Sequence, residues 1–510
     1  MKRYFTLLII LFISSQVFSQ EKGICGNVPT EQELNSLLAS KLLVDKSQVS
    51  QTEEIHYVPV KFHLIADNDG NGRGKEVDCL QQLAVLNQDY ANTNLRFYIK
   101  DGEFEHYNSD NIFTKAKDNT LAQNQMTAHR DLHAVDVFVV DKIGSGAGGI
   151  GTILGFYKPP FLPDHPNDWI IILKSEVRSE TNTLSHELGH FFSLAHTFSG
   201  WEGNPFQPSS AGWPTAPGQS PGGPFTERQN GTNCNDAADR VCDTPPDYNF
   251  GLVWNSCDYT GGAKDPQGTI VDPMENNQMS YFSNCYPYIF TQGQIDLIHA
   301  DYSKSTRDYL KSNHVPNMTS PTEKAVLVYP EDQATNVGNV GVTLQWKAVP
   351  GAEYYVVELS RTFTFSLENQ TFVTQGTSFE LPTLEENKSY FWKITPFTEG
   401  GTDVKALTSS YRKFKSSPLA ISKIEEINAW DVTPNPTNSD VKIAIRMDKP
   451  VSLTAQLIAT NGQVLQSEQF HTVAGEQVLR MPQMTLSNGT YFLRLTSKNG
   501  VETRRVVVQK

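Results

Sequence analysis

The sequence lacks three features that define large classes of protein. It has no excess of basic residues: 42 Lys and Arg stand against 56 Asp and Glu, a formal net charge of −14. A polyanion binder needs basic surface to neutralise phosphates, so nucleic acid is excluded as an expected partner. Beyond the first twenty residues, no run approaches the roughly 18 uninterrupted apolar residues of a membrane span. The six cysteines include no C-x-x-C pair, which argues against zinc-ribbon sites.

What is present indicates a folded, multidomain chain. Its 510 residues predict three or four domains, at roughly 100–200 residues each. Apolar residues make up 38% and charged residues 19%, so most of the chain can bury a core. The 35 glycines and 28 prolines favour many turns, which is typical of β-rich regions.

The first residues have the pattern of a secretory signal peptide, which we assign to 1–19. Lys2 and Arg3 precede an apolar run from Leu7 to Ile13, and small residues follow at Val17 and Ser19. The run is too short for an ordinary membrane span. The alternative is a short buried helix. We expect the mature protein to leave the cytoplasm.

Residues 422–510 predict a small β domain. Val441, Ile443 and Ile445 alternate with other residues as in a half-buried strand, and Asn-Gly pairs such as Asn461-Gly462 mark tight turns. The segment resembles the C-terminal sorting domain of the type IX secretion system, with matches at 434–436, 489–491 and 504–510. That resemblance implies passage through the periplasm and outer membrane, the secretion machinery as a partner, and later removal of the domain. An ordinary accessory β-sandwich is the alternative.

Residues 322–417 predict a second all-β domain. Val342, Leu344 and Trp346 alternate, as do Tyr390, Trp392 and Ile394. The pattern resembles a fibronectin type III sandwich. Its aromatic residues are predicted to be core, and a carbohydrate site is the alternative.

The chemistry lies in a stretch that reads H-E-L-G-H from His186 to His190. On a helix, His186 and His190 are one turn apart on one face, where two imidazoles can bind one Zn²⁺. Glu187 is then placed to hold a zinc-bound water. His196, six residues after His190, can supply a third nitrogen if the chain turns back. The alternative is that these are core histidines with a purely structural role, their ring nitrogens hydrogen-bonded within the protein.

This pattern resembles the metzincin signature H-E-x-x-H-x-x-G-x-x-H, with one departure. Ser193 stands where the glycine that lets the chain leave the helix is expected. A non-glycine residue at positive φ costs roughly 1–2 kcal/mol, so we expect a differently built turn. A downstream glutamate, Glu202 or Glu227, is the alternative third ligand.

Further matches between Val58 and His314 resemble the pappalysin family, in its cytophagalysin-like branch. They include 239–245, 272–281, 290–294, the helix end at 86–90 and the strand at 168–173. The resemblance implies an α+β metzincin-like catalytic domain over 56–315, followed by the two all-β sandwich domains. It also implies a Met-turn at Met279 and, at Tyr281, a tyrosine that stabilises the transition state.

The expected reaction is peptide hydrolysis by a metal-activated water. Glu187 would act as general base and then acid, and Tyr281 would donate a hydrogen bond to the oxyanion. The Trp169–Leu173 strand, if it is an edge, would pair with extended substrate. The alternative function is a surface adhesion or carbohydrate-binding protein with a degenerate peptidase domain.

Four cysteines cluster downstream of the histidines, and in an exported protein they predict two disulfides. Three pairings are open, and a second zinc site is the alternative. Nearby Asp236, Asp239, Asp243 and Thr244 could hold Ca²⁺, as the family resemblance also implies; a solvated acidic loop is the alternative. The cysteines concerned are Cys234, Cys242, Cys257 and Cys285.

Cys25-Gly26 falls in a segment, 20–55, that resembles a pro-segment of this family. A thiolate ligates zinc well, so Cys25 in place of the water would keep the enzyme latent. The alternative pairs Cys25 with Cys79, which otherwise has no partner.

Overall fold

A computed structural model describes most of the chain. The described residues are 24–27, 54–144, 152–159, 167–223, 225–401, 404–417, 424, 426–438, 441–460, 463–481, 486–497 and 500–509. The predicted signal peptide, most of the predicted pro-segment and the Asn461-Gly462 turn lie outside them. The chain divides into two compact units, one of Met1–Pro321 with Phe397–Ala406 and one of Thr322–Pro396 with Leu407–Lys510. Within the described residues no helix is both long and apolar enough to cross a bilayer.

The first unit is built on a six-stranded sheet with the order β1-β5-β6-β4-β2-β3. Strands β2, β3, β4 and β6 are parallel, whereas β5 runs antiparallel to β6. The two-residue strand β1 pairs with the outer side of β5. The strands are β1 Ile24–Cys25, β2 His56–Ala66, β3 Leu95–Asn108, β4 Val135–Val140, β5 Ile153–Lys158 and β6 Trp169–Leu173.

Burial explains which strands are central. Every residue of β4 and of β6 is buried, as expected for strands covered on both faces. In β5, buried and half-buried residues alternate, which is typical of a strand with one open face. The expectation that Trp169–Leu173 is an edge is therefore wrong, because it lies between β4 and β5.

Among the described residues, five α-helices accompany the sheet. The fourth, α4, carries the histidine pair and is buried along almost its whole length. The fifth, α5, begins with a capping box in which Thr291 and Gln294 each satisfy the other's backbone N–H. The helices are α1 Glu76–Asp89, α2 Asp110–Lys115, α3 Thr120–Ala128, α4 Thr183–Phe191 and α5 Gln292–Ser303, and short 3₁₀ turns lie at Ala91–Thr93, Lys174–Glu176, Phe250–Leu252 and Ser305–Leu310.

Between α4 and α5 the chain has little regular structure but its own aromatic core. Phe198, Trp201, Tyr248 and Phe250 are buried there with other aromatic residues. Two disulfides, Cys234–Cys242 and Cys257–Cys285, fasten this region. The loops beside the helix are therefore held by buried apolar side chains and by disulfides, with little contribution from β-sheet hydrogen bonds.

The described residues of the second unit form four β-sheets. Their orders are β11-β10-β13-β14-β8, β12-β9-β7, β15-β16-β19 and β18-β17-β20-β21. The strands are β7 Leu327–Tyr329, β8 Ala334–Gly338, β9 Thr343–Trp346, β10 Tyr354–Ser360, β11 Gln370–Thr374, β12 Ser378–Glu380, β13 Ser389–Phe397, β14 Arg412–Ser417, β15 Ile427–Thr433, β16 Lys442–Met447, β17 Ser452–Ala459, β18 Val464–His471, β19 Gly475–Arg480, β20 Gly489–Thr496 and β21 Val501–Val508, with a 3₁₀ turn at Lys405–Leu407.

Two separate apolar cores lie among these sheets. Trp346, Tyr390 and Trp392 are in the first core, so these aromatic side chains are core residues, as predicted. Ile443 and Ile445 are in the second, in the alternating pattern predicted for 441–447. The chain thus combines a mixed α/β unit with a unit of β-sheets.

Candidate metal centre

Helix α4 places His186, Glu187 and His190 together at the edge of the sheet. All three side chains are buried. The imidazoles of His186 and His190 have centroids 4.9 Å apart, as one helical turn predicts. Glu187 points to β5, where a Cβ added to Gly155 would lie 2.5 Å from Glu187 Oε1. Only glycine fits the strand at this point.

The helix ends in a turn that brings the chain back to the histidines. Ser193 has a φ of +69°, and its N–H donates to the carbonyl of His190, while Leu194 N–H donates to that of Gly189. This is the Schellman arrangement. The expectation of a differently built turn is wrong: Ser193 adopts the left-handed conformation that glycine would.

After this turn, His196 meets the helical pair. His196 Nε2 lies 3.1 Å from His190 Nε2. Cys25 completes the group, and one ligand atom from each of the four residues falls within 4.8 Å of the others. All four side chains are buried. The structure places neither Glu202 nor Glu227 in this group.

Backbone carbonyls fix the orientation of the helical imidazoles. The Nδ1 atoms of His186 and His190 lie 2.8 Å from the carbonyl oxygens of Gln278 and Leu194 respectively. Nδ1–H therefore donates, and each Nε2 lone pair faces the centre. Nε2 of His186 has no hydrogen-bond partner among the described residues.

Burial sets the protonation of the centre. It lowers the pKa of His186 to about 4, and it lowers the pKa values of His190 and His196 well below their ordinary value. The imidazoles are therefore neutral at pH 7, the form that binds metals. Burial also raises the pKa of Glu187 to about 8.

Met279 lies directly under helix α4. A Cβ on Gly189 would collide with Met279 Sδ, so glycine in the helix permits the approach. Met279 N–H donates to the side chain of Asn277 at 2.9 Å, and Asn277 is bonded in turn to Gln294 of α5. Contacts with Gly189 of α4 and with Gln294 of α5 therefore fix the position of the segment before Tyr281.

The hydroxyl of Tyr281 is held by the backbone of Cys25. It accepts a hydrogen bond from Cys25 N–H at 2.8 Å and donates one to the Cys25 carbonyl at 3.1 Å. Its ring centroid lies 5.9 Å from that of His186. Cys25 therefore engages both the histidine cluster and the tyrosine.

Residues 24–27 lie along the outer side of β5 as an added strand. Gly26 N–H donates to the Gly155 carbonyl. The Asn27 amide then continues the ladder, since it accepts from Tyr157 N–H at 2.9 Å and donates to the Tyr157 carbonyl at 3.1 Å. The edge that pairs with an extended segment is β5.

Two carboxylates lie near the centre: Asp247, which the sequence did not lead us to expect, and Glu202, which was the alternative third ligand. Asp247 is buried and accepts from Thr197 and Ser280, the residues that follow His196 and Met279. Glu202 Oε1 lies 3.7 Å from His196 Nδ1. Neither belongs to a recognisable motif; a buried acid between two motifs was the only available signal.

Two carboxylates of the predicted calcium site accept hydrogen bonds from protein groups. Asp239 is buried and accepts from Thr244 Oγ1 at 3.0 Å, whereas Asp243 accepts from Thr291 Oγ1 and Gly293 N–H at the start of α5. Asp236 is exposed. Among the described residues, these acids are not gathered into a metal-binding group, and calcium stays a prediction.

The cysteines pair as Cys234–Cys242 and Cys257–Cys285, so the two-disulfide prediction is confirmed and the second zinc site is not formed. Cys25 and Cys79 are both free and buried. The alternative Cys25–Cys79 disulfide is therefore wrong. Cys79 is fully buried within α1.

Comparison with known proteins identifies one part of the chain directly. Residues 431–509 match the family model described as "Secretion system C-terminal sorting domain". These residues form a sorting domain. The prediction made from the 434–436 and 489–491 matches is confirmed, and export to the outside or the cell surface follows from it.

Part of the chain is similar in sequence to extracellular metalloproteases. That of Colletotrichum graminicola is 27% identical over 216 residues, which cover 38% of this chain and 74% of the relative. That of Neurospora crassa is 26% identical over 290 residues, 53% of this chain and 84% of the relative. A promirolysin variant from Tannerella forsythia aligns with a TM-score of 0.37 and 18% identity, covering 56% of this chain and 96% of that one. The resemblance to metallopeptidases is confirmed by the two fungal relatives.

Proposed function

We propose that the chain is a secreted zinc-dependent endopeptidase of the pappalysin-like metzincins, with residues 56–315 as its catalytic domain. One observation carries the proposal: His186, His190 and His196 present neutral nitrogens to one buried point beside Glu187. Relatives described as metalloproteases support the same reaction class. Protein and peptide chains are the expected substrates.

The donor set fits a zinc ion. His186 Nε2 is buried without a hydrogen-bond partner among the described residues, and two histidine Nε2 atoms lie 3.1 Å apart. A shared cation explains why these buried imidazole nitrogens converge on one point. Three imidazoles with a thiolate or an open fourth position are a typical zinc set.

Each side chain then has a defined task. Bound zinc would lower the pKa of a water and polarise the scissile carbonyl. Glu187 would take the proton of that water and later deliver it to the leaving amine; its pKa of about 8 suits a group that both accepts and returns a proton. Tyr281 would donate its hydroxyl hydrogen to the oxyanion. Extended substrate would pair with β5.

We also propose that the described form is latent. The Cys25 thiol occupies the fourth position around the histidines, and the Cys25 backbone binds both hydrogen-bonding functions of the Tyr281 hydroxyl. A substrate can reach neither group until this segment leaves. Cys25 would thus act as a cysteine switch in the pro-segment 20–55.

The sorting domain places this activity outside the cell. We propose export through the periplasm and outer membrane by the type IX machinery, with the signal peptide 1–19 starting the route. Deleting 431–509 should leave the protein inside the cell envelope, and fractionation with immunoblotting measures this. Secretion of the truncated chain at normal levels would contradict the proposed route.

Glu187→Ala tests the catalytic proposal. The variant should retain bound zinc, measured by elemental analysis, and lose casein hydrolysis by about 10²–10⁴-fold. Glu331→Gln, an exposed acid in the second unit, is the matched control and should behave as wild type. A zinc chelator should abolish wild-type hydrolysis. Normal turnover by Glu187→Ala, or a processed chain without the Cys25 segment that binds zinc but cleaves nothing, would favour the alternative of an adhesion protein with a degenerate peptidase domain.

A further inference from the structure

We propose that Lys117 forms a substrate subsite that selects an acidic side chain beside the catalytic centre. The proposal rests on the endopeptidase function above and names a preference for that same cleft. Lys117 lies between α2 and α3, outside every motif of the sequence. It reaches the cleft through its side chain.

The position of Lys117 is defined by the segment now lying in the cleft. Lys117 Nζ donates to the Gly26 carbonyl at 3.1 Å. It also lies 5.0 Å from the centroid of the Phe156 ring on β5, a cation–π contact. Gly26 follows Cys25, whose thiol is in the histidine cluster, so Lys117 acts on the residue adjacent to the metal centre.

Glycine at position 26 places no side chain against Lys117, and the space around this position is tight. A Cβ added to Gly26 would lie 3.1 Å from Phe156, 3.2 Å from Ile153 and 3.3 Å from Lys117 Nζ. A residue with a side chain at this point would therefore have to extend past the ring towards the ammonium group. The first polar group that it meets is Lys117 Nζ.

Among the described residues Lys117 has no carboxylate within ion-pair distance, in contrast to Lys100 and Lys174, although its charge partly offsets the burial that raises the pKa of Glu187. Lys100 pairs with Asp131 at 2.6 Å, and Lys174 pairs with Asp141 at 2.7 Å. Lys117 is half-buried, and within the described part of the chain its ammonium group donates only to the neutral Gly26 carbonyl. A partly buried ammonium group gains most from an anionic partner. Asp or Glu of a bound peptide supplies one once residues 24–27 have left.

Cleavage-site profiling tests the subsite. All chains are full-length, loaded with zinc and carry Cys25→Ser so that no thiol occupies the centre; the chain with this change alone is the parent. Each chain digests a mixed peptide library, and mass spectrometry identifies the cleavage sites. The parent should favour Asp or Glu over neutral residues by about fivefold at one position next to the cleaved bond. Lys117→Arg should keep this preference. Lys117→Glu should disfavour acidic residues there and favour Lys or Arg by a similar factor.

Lys115→Glu is the matched control. Lys115 is exposed, and its substitution changes the charge by the same amount two residues from Lys117. Its profile should match the parent's. A parent without acidic preference, or a Lys117→Glu profile equal to that of Lys115→Glu, overturns the subsite while leaving the peptidase proposal standing. Absence of cleavage by every chain overturns the proposed function and the subsite with it.

Discussion

The hydroxyl of Ser193 donates a hydrogen bond to Asp301 Oδ2 at 2.5 Å. Asp301, on α5, is buried and also accepts from Arg307 Nε at 2.7 Å. Burial alone would raise the pKa of Asp301, but the charges of Arg307 and Lys304 outweigh it and lower that pKa. The carboxylate is thus a fixed anion at the turn. It explains why a serine can occupy a left-handed position where glycine is expected.

Substitution of Ser193 should separate strain from hydrogen bonding. Ser193→Ala keeps the strained backbone and loses a bond to a charged group, so the free energy of unfolding should fall by about 1.5–3 kcal/mol. Ser193→Gly loses the same bond but regains about 1–2 kcal/mol of strain. Thermal unfolding should show that stability decreases in the order wild type, Ser193→Gly, Ser193→Ala. An alanine variant more stable than the glycine variant would contradict this account.

Gly189→Ala should damage the centre through Met279. The added methyl group collides with Met279 Sδ, and overpacking in a buried site costs about 1–3 kcal/mol. Zinc affinity, measured by competition with a chelator, should fall together with the unfolding temperature. The double variant Gly189→Ala with Met279→Ala should lose less than the sum of the single losses. Additive losses would show that the two residues do not act on each other.

Asn27→Ala should loosen the latent form. It removes two hydrogen bonds to Tyr157, each worth about 0.5–1.5 kcal/mol. Thiol labelling of Cys25 in the unprocessed, zinc-free chain should therefore become about 5- to 100-fold faster. Cys79 is fully buried in α1 and serves as the internal reference. Equal acceleration at both cysteines would indicate general unfolding instead of release of the segment.

The ionisation of Glu105 should make the free energy of unfolding depend on pH in the acid range. Burial raises its pKa, but bonds to His63 at 2.7 Å and to His129 at 2.7 Å outweigh burial and lower the pKa to about 2. A depressed carboxyl pKa stabilises the folded state above the ordinary value of 4.5, and this stability is lost as pH falls towards 2.

The Glu105→Gln variant checks that sign. Its unfolding temperature should lie below that of wild type at neutral pH, and the difference should shrink as the solution is acidified below pH 4.5. Glu103→Gln is a suitable control because its side chain is 69% exposed. A difference that grows on acidification would contradict the assignment.

The sequence was most informative where chemistry depends on local spacing. His186 and His190 had to share a helix face, and the return of His196 needed only a tight turn. The sorting domain was equally clear because its turns and alternating strands are local. Met279 lies close to these residues in space, as the family resemblance implied, although 83 positions separate it from His196 by their numbers.

The sequence was least informative where distant segments meet. Nothing in Trp169–Leu173 indicates that β5 covers it, because strand neighbours depend on long-range pairing. Gly155 has no local signal for its contact with Glu187. Lys117 and Asp247 stand outside the motifs, and only the fold brings them to the cleft or beneath it.

The Cys257–Cys285 link closes a covalent loop with a sequence separation of 28, and both Met279 and Tyr281 lie inside it. Such a link stabilises a fold by about 3–4 kcal/mol, but it persists only in an oxidising compartment. In the reducing cytoplasm the floor of the cleft and its tyrosine are therefore unfastened. Oxidation after export would complete the cleft, giving the producing cell a safeguard that is independent of the Cys25 segment.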